Sequence, residues 1–415
     1  MPSRSAIVTY RLVFFLDLPR RVPELLRPAG KITRNPAVTG LFWHSGGMRR
    51  GVGMWWPILL VAVLALATGC TTRSAESNSD WRELTLPQRD ARILEFAPTA
   101  DGVLALGSIP VGDGRAPAAW TSTDGTQWKP VPVRGESAYA KLAELISAGV
   151  GDRTVVLGQA FGGAHSNPRM TIWSGDAQGL TEHPQAMEMF GGPHAIAVTT
   201  AAALRGTDLL IGDWDGPEGR YGAAFWTSAN GADWVRHADD PALSSAPGEQ
   251  TGAAAVTTGP SGFVIVGETL RDSVLRPVQW TSPDAVTWQR HEMAGTNAVA
   301  NRVACGSSAC AVFGQTIGAA PKVLCWASPD AEPVTGPSAT TVDTLQLVPT
   351  GSRVLSLVAL DHTVQLHSVT TNCGDWQRIP LPADAPAARM IAMPAGLLLA
   401  TTGDDRSRLW LHALP

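Results

Sequence analysis

Short apolar runs recur along the chain, and most of them end on a glycine. Five clear copies are VLALG (103–107), VVLG (155–158), LLIG (209–212), FVIVG (263–267) and AVFG (311–314). Two less regular copies follow, RVLSLVAL (353–360) and GLLLATTG (396–403). Apolar runs of four to eight residues that are bounded by turn residues are typical of buried β-strands rather than helices. Seven such runs therefore predict an all-β chain built from seven similar units.

A tryptophan follows each of the first five runs at a nearly constant distance. These residues are Trp120, Trp173, Trp226, Trp280 and Trp326, separated by 53, 53, 54 and 46 residues. Repeats of this length indicate a propeller or a solenoid. Each unit also begins with small residues, as in AIAVTTAAAL (195–204) and GAAAVTTG (252–259), which suit an innermost strand near a crowded axis. The pattern predicts a seven-bladed β-propeller over residues 80–415, with four antiparallel strands per blade.

The last repeat stops after three strands. The missing strand has a counterpart at the other end of the body, because DWRELTLP (80–87) resembles the outer-strand segment DWQRIPLP (375–382). We expect residues 80–87 to pair with the last blade and to close the ring, which would leave no exposed sheet edge.

The first seventy residues read as a targeting signal. The segment 48–69 has Arg49 and Arg50, about fifteen apolar residues and a small-residue end, as secretory signals do. Its end, Ala67-Thr68-Gly69-Cys70, resembles the lipobox of bacterial lipoproteins, which implies lipidation of Cys70. Residues 70–79 would then be a polar tether on the extracytoplasmic face of the cell membrane. The alternative is a retained anchor helix. Residues 1–47 precede a complete signal, so we expect an upstream extension that is not translated.

The charge of the body argues against one class of partner. Residues 70–415 carry 23 basic and 34 acidic side chains, a net charge of −11. Nucleic-acid-binding proteins present basic surfaces. We therefore expect no nucleic-acid partner. We also expect the protein to be a monomer.

A polar turn follows the repeated tryptophan in three copies, whose residues are Ser122, Asp124 and Trp128; Ser228, Asn230 and Trp234; and Ser282, Asp284 and Trp288. These turns resemble the Asp-box, or bacterial neuraminidase repeat, of sialidase-like propellers. The resemblance implies that these turns are structural and lie on the face opposite the active site. A ladder of tryptophans that binds glycan is the alternative.

Four cysteines remain after Cys70. An even number in an exported chain indicates disulfides, and Cys305, Cys310, Cys325 and Cys373 allow three pairings. The economical pairing is a hairpin bridge between Cys305 and Cys310, with Cys325 and Cys373 joining the fifth blade to the sixth. A zinc site is the alternative, but the chain has no Cys-x-x-Cys, and no histidine stands at ligand spacing near these cysteines.

Charged residues concentrate in the segments expected to join the second and third strands. The richest pair predicts a binding site in the third and fourth blades, at Asp213, Asp215, Glu218, Arg220, Tyr221, Arg271 and Asp272. Oxygen ligands at Asp213, Asp215 and Glu218 make Ca²⁺ the one candidate ion, although the full calcium-loop pattern is absent. No other metal or cofactor is expected.

Two functional hypotheses follow. The first is a membrane-tethered propeller without catalysis, which binds a protein or a cell-envelope glycan. The second is a sialidase-like glycoside hydrolase that uses acidic loop residues on the same face. Sialidases need a Phe/Tyr-Arg-Ile/Leu-Pro motif and a tyrosine nucleophile, and the propeller holds only Tyr139 and Tyr221 with no such motif. No catalytic residue is assigned, and the first hypothesis is favoured.

Overall fold

The computed structural model describes residues 80–161, 168–216 and 219–413. The strands form seven separate sheets, and the four antiparallel strands in each confirm the seven-bladed β-propeller. Cys70, the signal and the tether predicted for residues 48–79, and Glu218 lie outside the described residues.

Each blade has four principal strands, numbered here in chain order. The first strands are β2 (Arg92–Thr99), β7 (Glu144–Val150), β11 (Ala195–Leu204), β15 (Glu249–Gly259), β19 (Ala298–Cys305), β23 (Val342–Thr350) and β27 (Ala387–Met393). The second strands are β3 (Gly102–Val111), β8 (Thr154–Ala160), β12 (Thr207–Asp215), β16 (Gly262–Arg271), β20 (Cys310–Thr316), β24 (Arg353–Leu360) and β28 (Gly396–Thr402).

The other two strands complete each sheet. The third strands are β4 (Gly114–Ser122), β9 (Arg169–Asp176), β13 (Tyr221–Ser228), β17 (Val274–Ser282), β21 (Lys322–Trp326), β25 (Thr363–Thr370) and β29 (Ser407–His412). The fourth strands are β5 (Lys129–Val131), β10 (Gly179–Glu182), β14 (Val235–His237), β18 (Gln289–Glu292), β22 (Val334–Ser338), β26 (Gln377–Ile379) and β1 (Trp81–Leu84). A short β6 (Val133–Arg134) pairs with β10.

The seventh sheet takes its fourth strand from the start of the propeller. β1 pairs antiparallel with β29, with Trp81 opposite His412. The Trp81 ring stacks on the His412 ring at 4.7 Å between centroids, and its indole N–H donates to the Pro380 carbonyl at 2.9 Å. Residues more than 300 positions apart therefore share one sheet.

The core lies between adjacent blades and contains the repeated tryptophans. Trp120, Trp173, Trp226, Trp280 and Trp326 are all fully buried in third strands. Trp173 packs against Leu104 and Leu106 of the preceding blade, so each tryptophan buries apolar area contributed by two sheets. The sixth blade differs, because His367 occupies the equivalent register position opposite Ser356. Trp376 lies edge-on to this histidine at 5.9 Å.

A steric constraint explains why the apolar run ends on a glycine. In the third blade, β11 carries a bulge between Val198 and Thr200, opposite Gly212. A Cβ on Gly212 would lie 2.0 Å from the carbonyl oxygen of Ala197. The same bulge recurs in the first blade opposite Gly107. The inner strand therefore approaches the second strand too closely for any side chain at this position.

Both predicted disulfides are present. Cys305 and Cys310 are directly paired residues of the β19–β20 hairpin. Cys325 of the fifth blade is bonded to Cys373 of the sixth, across 48 residues. The second bond is buried in the interface between the two blades.

The two disulfides are expected to contribute unequally to stability. Loop-closure entropy predicts a loss of about 4 kcal/mol in the free energy of unfolding for Cys325→Ala/Cys373→Ala, against about 2 kcal/mol for Cys305→Ala/Cys310→Ala. Denaturant titration of both double variants measures the difference. Equal losses would contradict a constraint that depends on loop length.

His367 makes the sixth blade sensitive to acid. Burial, reinforced by the nearby Arg378 charge, lowers the pKa of His367 from 6.5 to about 4. Below pH 6.5 His367 is therefore protonated in the unfolded chain, whereas in the folded chain it stays neutral until the pH approaches about 4. From pH 7 to pH 4 the wild type should lose about 2 kcal/mol more unfolding free energy than His367→Phe. Parallel losses in the two proteins would show that His367 does not titrate in this way.

Candidate functional site

The two ends of the blades carry different kinds of segment. One end bears the loops between second and third strands, together with the linkers that join consecutive blades; we call it the loop face. The other end bears the hairpins between first and second strands and the polar turns after the third strands; we call it the turn face. This division follows from the antiparallel order of every sheet.

The turn-face polar turns satisfy their own backbone. In the first blade, Asp124 accepts hydrogen bonds from the N–H groups of Thr126 and Gln127 at 2.7 and 2.8 Å, while Ser122 accepts one from Gly125 at 2.9 Å. The bonds from Gln127 and Thr126 hold the pKa of Asp124 well below its usual range. These carboxylate lone pairs are therefore used within the turn.

The other two turns repeat the geometry. Asn230 accepts from Ala232 and Asp233, and Asp284 accepts from Val286 and Thr287. Their tryptophans do not form an exposed stacking surface, because Trp234 and Trp288 are buried. Trp128 is only partly buried and lines a groove of about 510 Å³ beside residues 82–87.

The sequence predicted that Asp213 lies in a loop, but the structure places it in a strand. The strand β12 continues through Asp215, so Asp213 is a strand residue with 2% of its surface exposed. Its carboxylate accepts the Ala253 N–H from the next blade at 3.0 Å. The Asp213 side chain therefore joins two blades, and its role as a binding residue stays a prediction.

Asp215, Arg220 and Tyr221 do lie at the loop face. Asp215 is 3.5 Å from the His194 ring nitrogen. Arg220 donates to the Ser245 carbonyl at 3.1 Å, and Tyr221 starts β13. A cavity of about 140 Å³ is lined there by Gly216, Arg220, Ala238, Asp239, Ser244 and Ser245. Pockets for small organic ligands usually measure about 300–1,000 Å³.

The described residues were expected to include part of a calcium site. Among them, no group of three or more histidine, cysteine, aspartate or glutamate side chains is placed to hold a metal ion. The calcium set that includes Glu218 stays a prediction. No helix among these residues has the length and hydropathy to cross a bilayer.

Arg271 belongs to an ion-pair network that sequence reasoning missed. Its guanidinium lies 3.2 Å from Glu249 and 3.3 Å from Glu292, and Arg290 also pairs with Glu249. Burial raises the pKa of Glu249, but the bonds from Arg290, Thr269 and Arg271 outweigh it, so this pKa is below its usual range. Asp272, by contrast, lies in the two-residue β16–β17 turn with φ of 52°.

A similar node joins the first two blades. Glu144 begins β7 and accepts from Arg92 at 2.9 Å and from Ser108 at 2.6 Å, with Arg115 at 3.5 Å. Glu249 likewise begins an inner strand. In both places a glutamate at the loop-face end of an inner strand is held by arginines, so these carboxylates are structural.

Three inner strands bring further charges together. Glu95, Arg302 and Arg389 belong to the first, fifth and seventh blades and lie within electrostatic range of one another. Burial raises the pKa of Glu95, and the two arginines partly oppose that rise. Arg302 donates to the Leu345 and Asn301 carbonyls, and Arg389 donates to the Ala388 carbonyl. These guanidinium groups thus brace the inner strands.

Exposed apolar side chains are concentrated at the loop face. Of the large apolar residues that are exposed in the described ranges, six belong to its loops, linkers and strand ends: Val111, Tyr139, Leu142, Phe161, Met187 and Ile196. Three others, Val235, Val286 and Val334, lie after the third strands. A local excess of exposed apolar surface is typical of an interaction site.

Known proteins show only distant similarity to this chain. No family model matches the chain, and no curated protein matches it. The WD40 propeller domain of Doa1 is similar to it, with a TM-score of 0.44 and 14% identity over 79% of this chain and 95% of that one. The polysaccharide lyase Uly1 has a TM-score of 0.49 and 9% identity, over 78% and 90% of the two chains. A Trypanosoma rangeli sialidase has a TM-score of 0.41 and 12% identity, over 77% of this chain and 54% of its own. These neighbours have diverse roles, and none transfers a function.

Glu249 is expected to be essential for stability at this face. Glu249→Gln removes the charge that compensates two arginines at a buried position, so the free energy of unfolding should fall by about 2–3 kcal/mol. The matched control is Glu292→Gln, which faces the same Arg271 from an exposed position and should cost less than about 1 kcal/mol. Thermal and denaturant melts compare the two, and equal effects would contradict the central role of Glu249.

Proposed function

We propose that this chain is a lipid-anchored, extracytoplasmic β-propeller that binds a protein partner on its loop face and catalyses no reaction. The observation that carries the proposal is the concentration of exposed apolar side chains on that face. Such side chains are costly in water and are stabilised when a partner covers them.

The polar groups of the loop face favour this function over hydrolysis. The buried carboxylates of Glu144 and Glu249 are each held by arginines, and Asp213 is engaged by a backbone amide. A glycoside hydrolase needs two accessible carboxyl groups on either side of a sugar. The small cavity near Arg220 also suits a few water molecules better than a sugar ring.

The position of β1 indicates where a lipid anchor would join the propeller. β29 runs from the loop face to the turn face, and β1 pairs antiparallel with it, so Trp81 lies at the turn-face end. A lipid on Cys70 would be separated from Trp81 by about ten residues, a reach of at most roughly 35 Å. An anchor at Cys70 would therefore join the propeller through Trp81, at the turn-face end of β1.

The anchor has a direct test. In cells that express the full chain, Cys70→Ser should move the protein from the membrane fraction to the soluble extracytoplasmic fraction. Retention of the variant in the membrane would favour the anchor-helix alternative and overturn lipidation at Cys70.

The binding face is tested by photo-cross-linking in intact cells. A photoreactive residue placed at Leu142 on the loop face is expected to give a discrete adduct with another protein. The matched control is Val286, which is also exposed but lies in a turn-face turn. Adducts from Val286 alone, or from neither position, would contradict the proposal.

A further inference from the structure

The second blade carries the densest part of the exposed apolar surface. Four of its residues form a group that we call the apolar patch: Tyr139, Leu142, Phe161 and Met187. Their exposed fractions are 46, 55, 42 and 55%. Tyr139 and Leu142 belong to one turn, because the Leu142 N–H donates to the Tyr139 carbonyl. Met187 starts α1 (Met187–Phe190) in the linker to the third blade.

Arg169 connects these residues. It begins β9 opposite Ala160, and Phe161 follows Ala160 directly. Its guanidinium carbon lies 5.9 Å from the centre of the Tyr139 ring. The Arg169 guanidinium also reaches α1, because a Cβ on Gly191 would lie 3.5 Å from its Nη1 and 3.7 Å from the Met187 Cγ. The arginine therefore stands among the apolar side chains of the patch.

The Arg169 guanidinium resembles those of Arg92 and Arg290 in having a buried Nε that is not hydrogen-bonded within the described residues, but those two arginines form ion pairs through their Nη atoms. Arg153 and Arg408, in contrast, place their Nε 2.8 and 2.9 Å from carboxylates. A guanidinium beside apolar surface loses its remaining water when that surface is covered, and this is costly unless the covering molecule supplies a carboxylate.

We infer that the patch binds a peptide segment of the partner protein in which a carboxylate is flanked by apolar side chains. The carboxylate would pair with Arg169, and the apolar side chains would cover Leu142, Phe161 and Met187. The inference rests on the proposed function and specifies its partner. Because the propeller body is acidic overall, long-range attraction does not favour an acidic partner, and recognition depends on the local charge of Arg169.

The test selects phage-displayed random twelve-residue peptides on the purified full-length protein. We expect enriched peptides to carry Asp or Glu next to two or more apolar residues. The affinity of a synthetic enriched peptide should fall at least tenfold with Arg169→Gln and with Met187→Ser, and should partly recover with Arg169→Lys. Arg82→Gln, an exposed arginine on β1, is the matched control and should have no effect.

Two kinds of result would overturn the inference. One is the absence of enrichment, or enrichment of peptides without acidic residues. The other is an affinity that Arg169→Gln leaves unchanged while the melting temperature shows the variant to be folded. If either result is found while Leu142 still cross-links to another protein, the proposed function stands and only the acidic-peptide partner is excluded. If Leu142 gives no adduct, the proposed function and the acidic-peptide partner are both excluded.

Discussion

The buried third-strand tryptophan is the contact on which the rest of this propeller depends. Its ring fills the space between two blades. In the third, fourth and fifth blades its indole N–H also donates a hydrogen bond to a linker carbonyl. Trp226 donates to the Met189 carbonyl at 3.0 Å, Trp280 to Ala242 at 2.7 Å, and Trp326 to Ala294 at 2.8 Å. Each acceptor lies in the linker that leads into the blade of its tryptophan. One residue type thus packs the core and fixes the linker that continues to the loop face.

The two faces differ in how far their polar and apolar groups are satisfied within the chain. On the turn face, serine, aspartate and asparagine side chains accept the amides of their own turns, so little is left for a ligand. On the loop face, charged groups brace the blades, while large apolar side chains stay in contact with water. Only the second condition provides a driving force for association.

The architecture was predictable because its signals are local and repeated. In the first five blades a bulge in the inner strand requires a glycine in the second strand, and a buried tryptophan fills the interface from the third strand, so both residues mark these units in the sequence. The cysteine pairing followed because Cys305 and Cys310 are five residues apart. His367 shows the limit of such signals, because the register alone reveals that it replaces a tryptophan.

The candidate site was less predictable because its contacts join distant residues. Asp213 looked like a loop residue because the apolar run ends at Gly212, yet the strand continues to Asp215. Glu249 meets Arg290, 41 positions away, and Glu144 meets Arg92, 52 positions away. The sequence around Glu249 or Glu144 does not indicate which arginine the glutamate contacts. Arg169 is one of several charged residues at the loop face, and its position beside Tyr139 and α1 follows only from the three-dimensional structure.

The most direct test of this account is hydrogen exchange in Trp226→Phe. Phenylalanine keeps most of the apolar packing but removes one of the two side-chain donors to the Met189 carbonyl in α1, the other being the Arg236 guanidinium. If the tryptophan N–H positions the linker, the Met189 and Gly191 amides should exchange at least tenfold faster, with exchange in β13 unchanged. Unchanged exchange in α1 would contradict the claim that the buried tryptophans position the loop-face linkers.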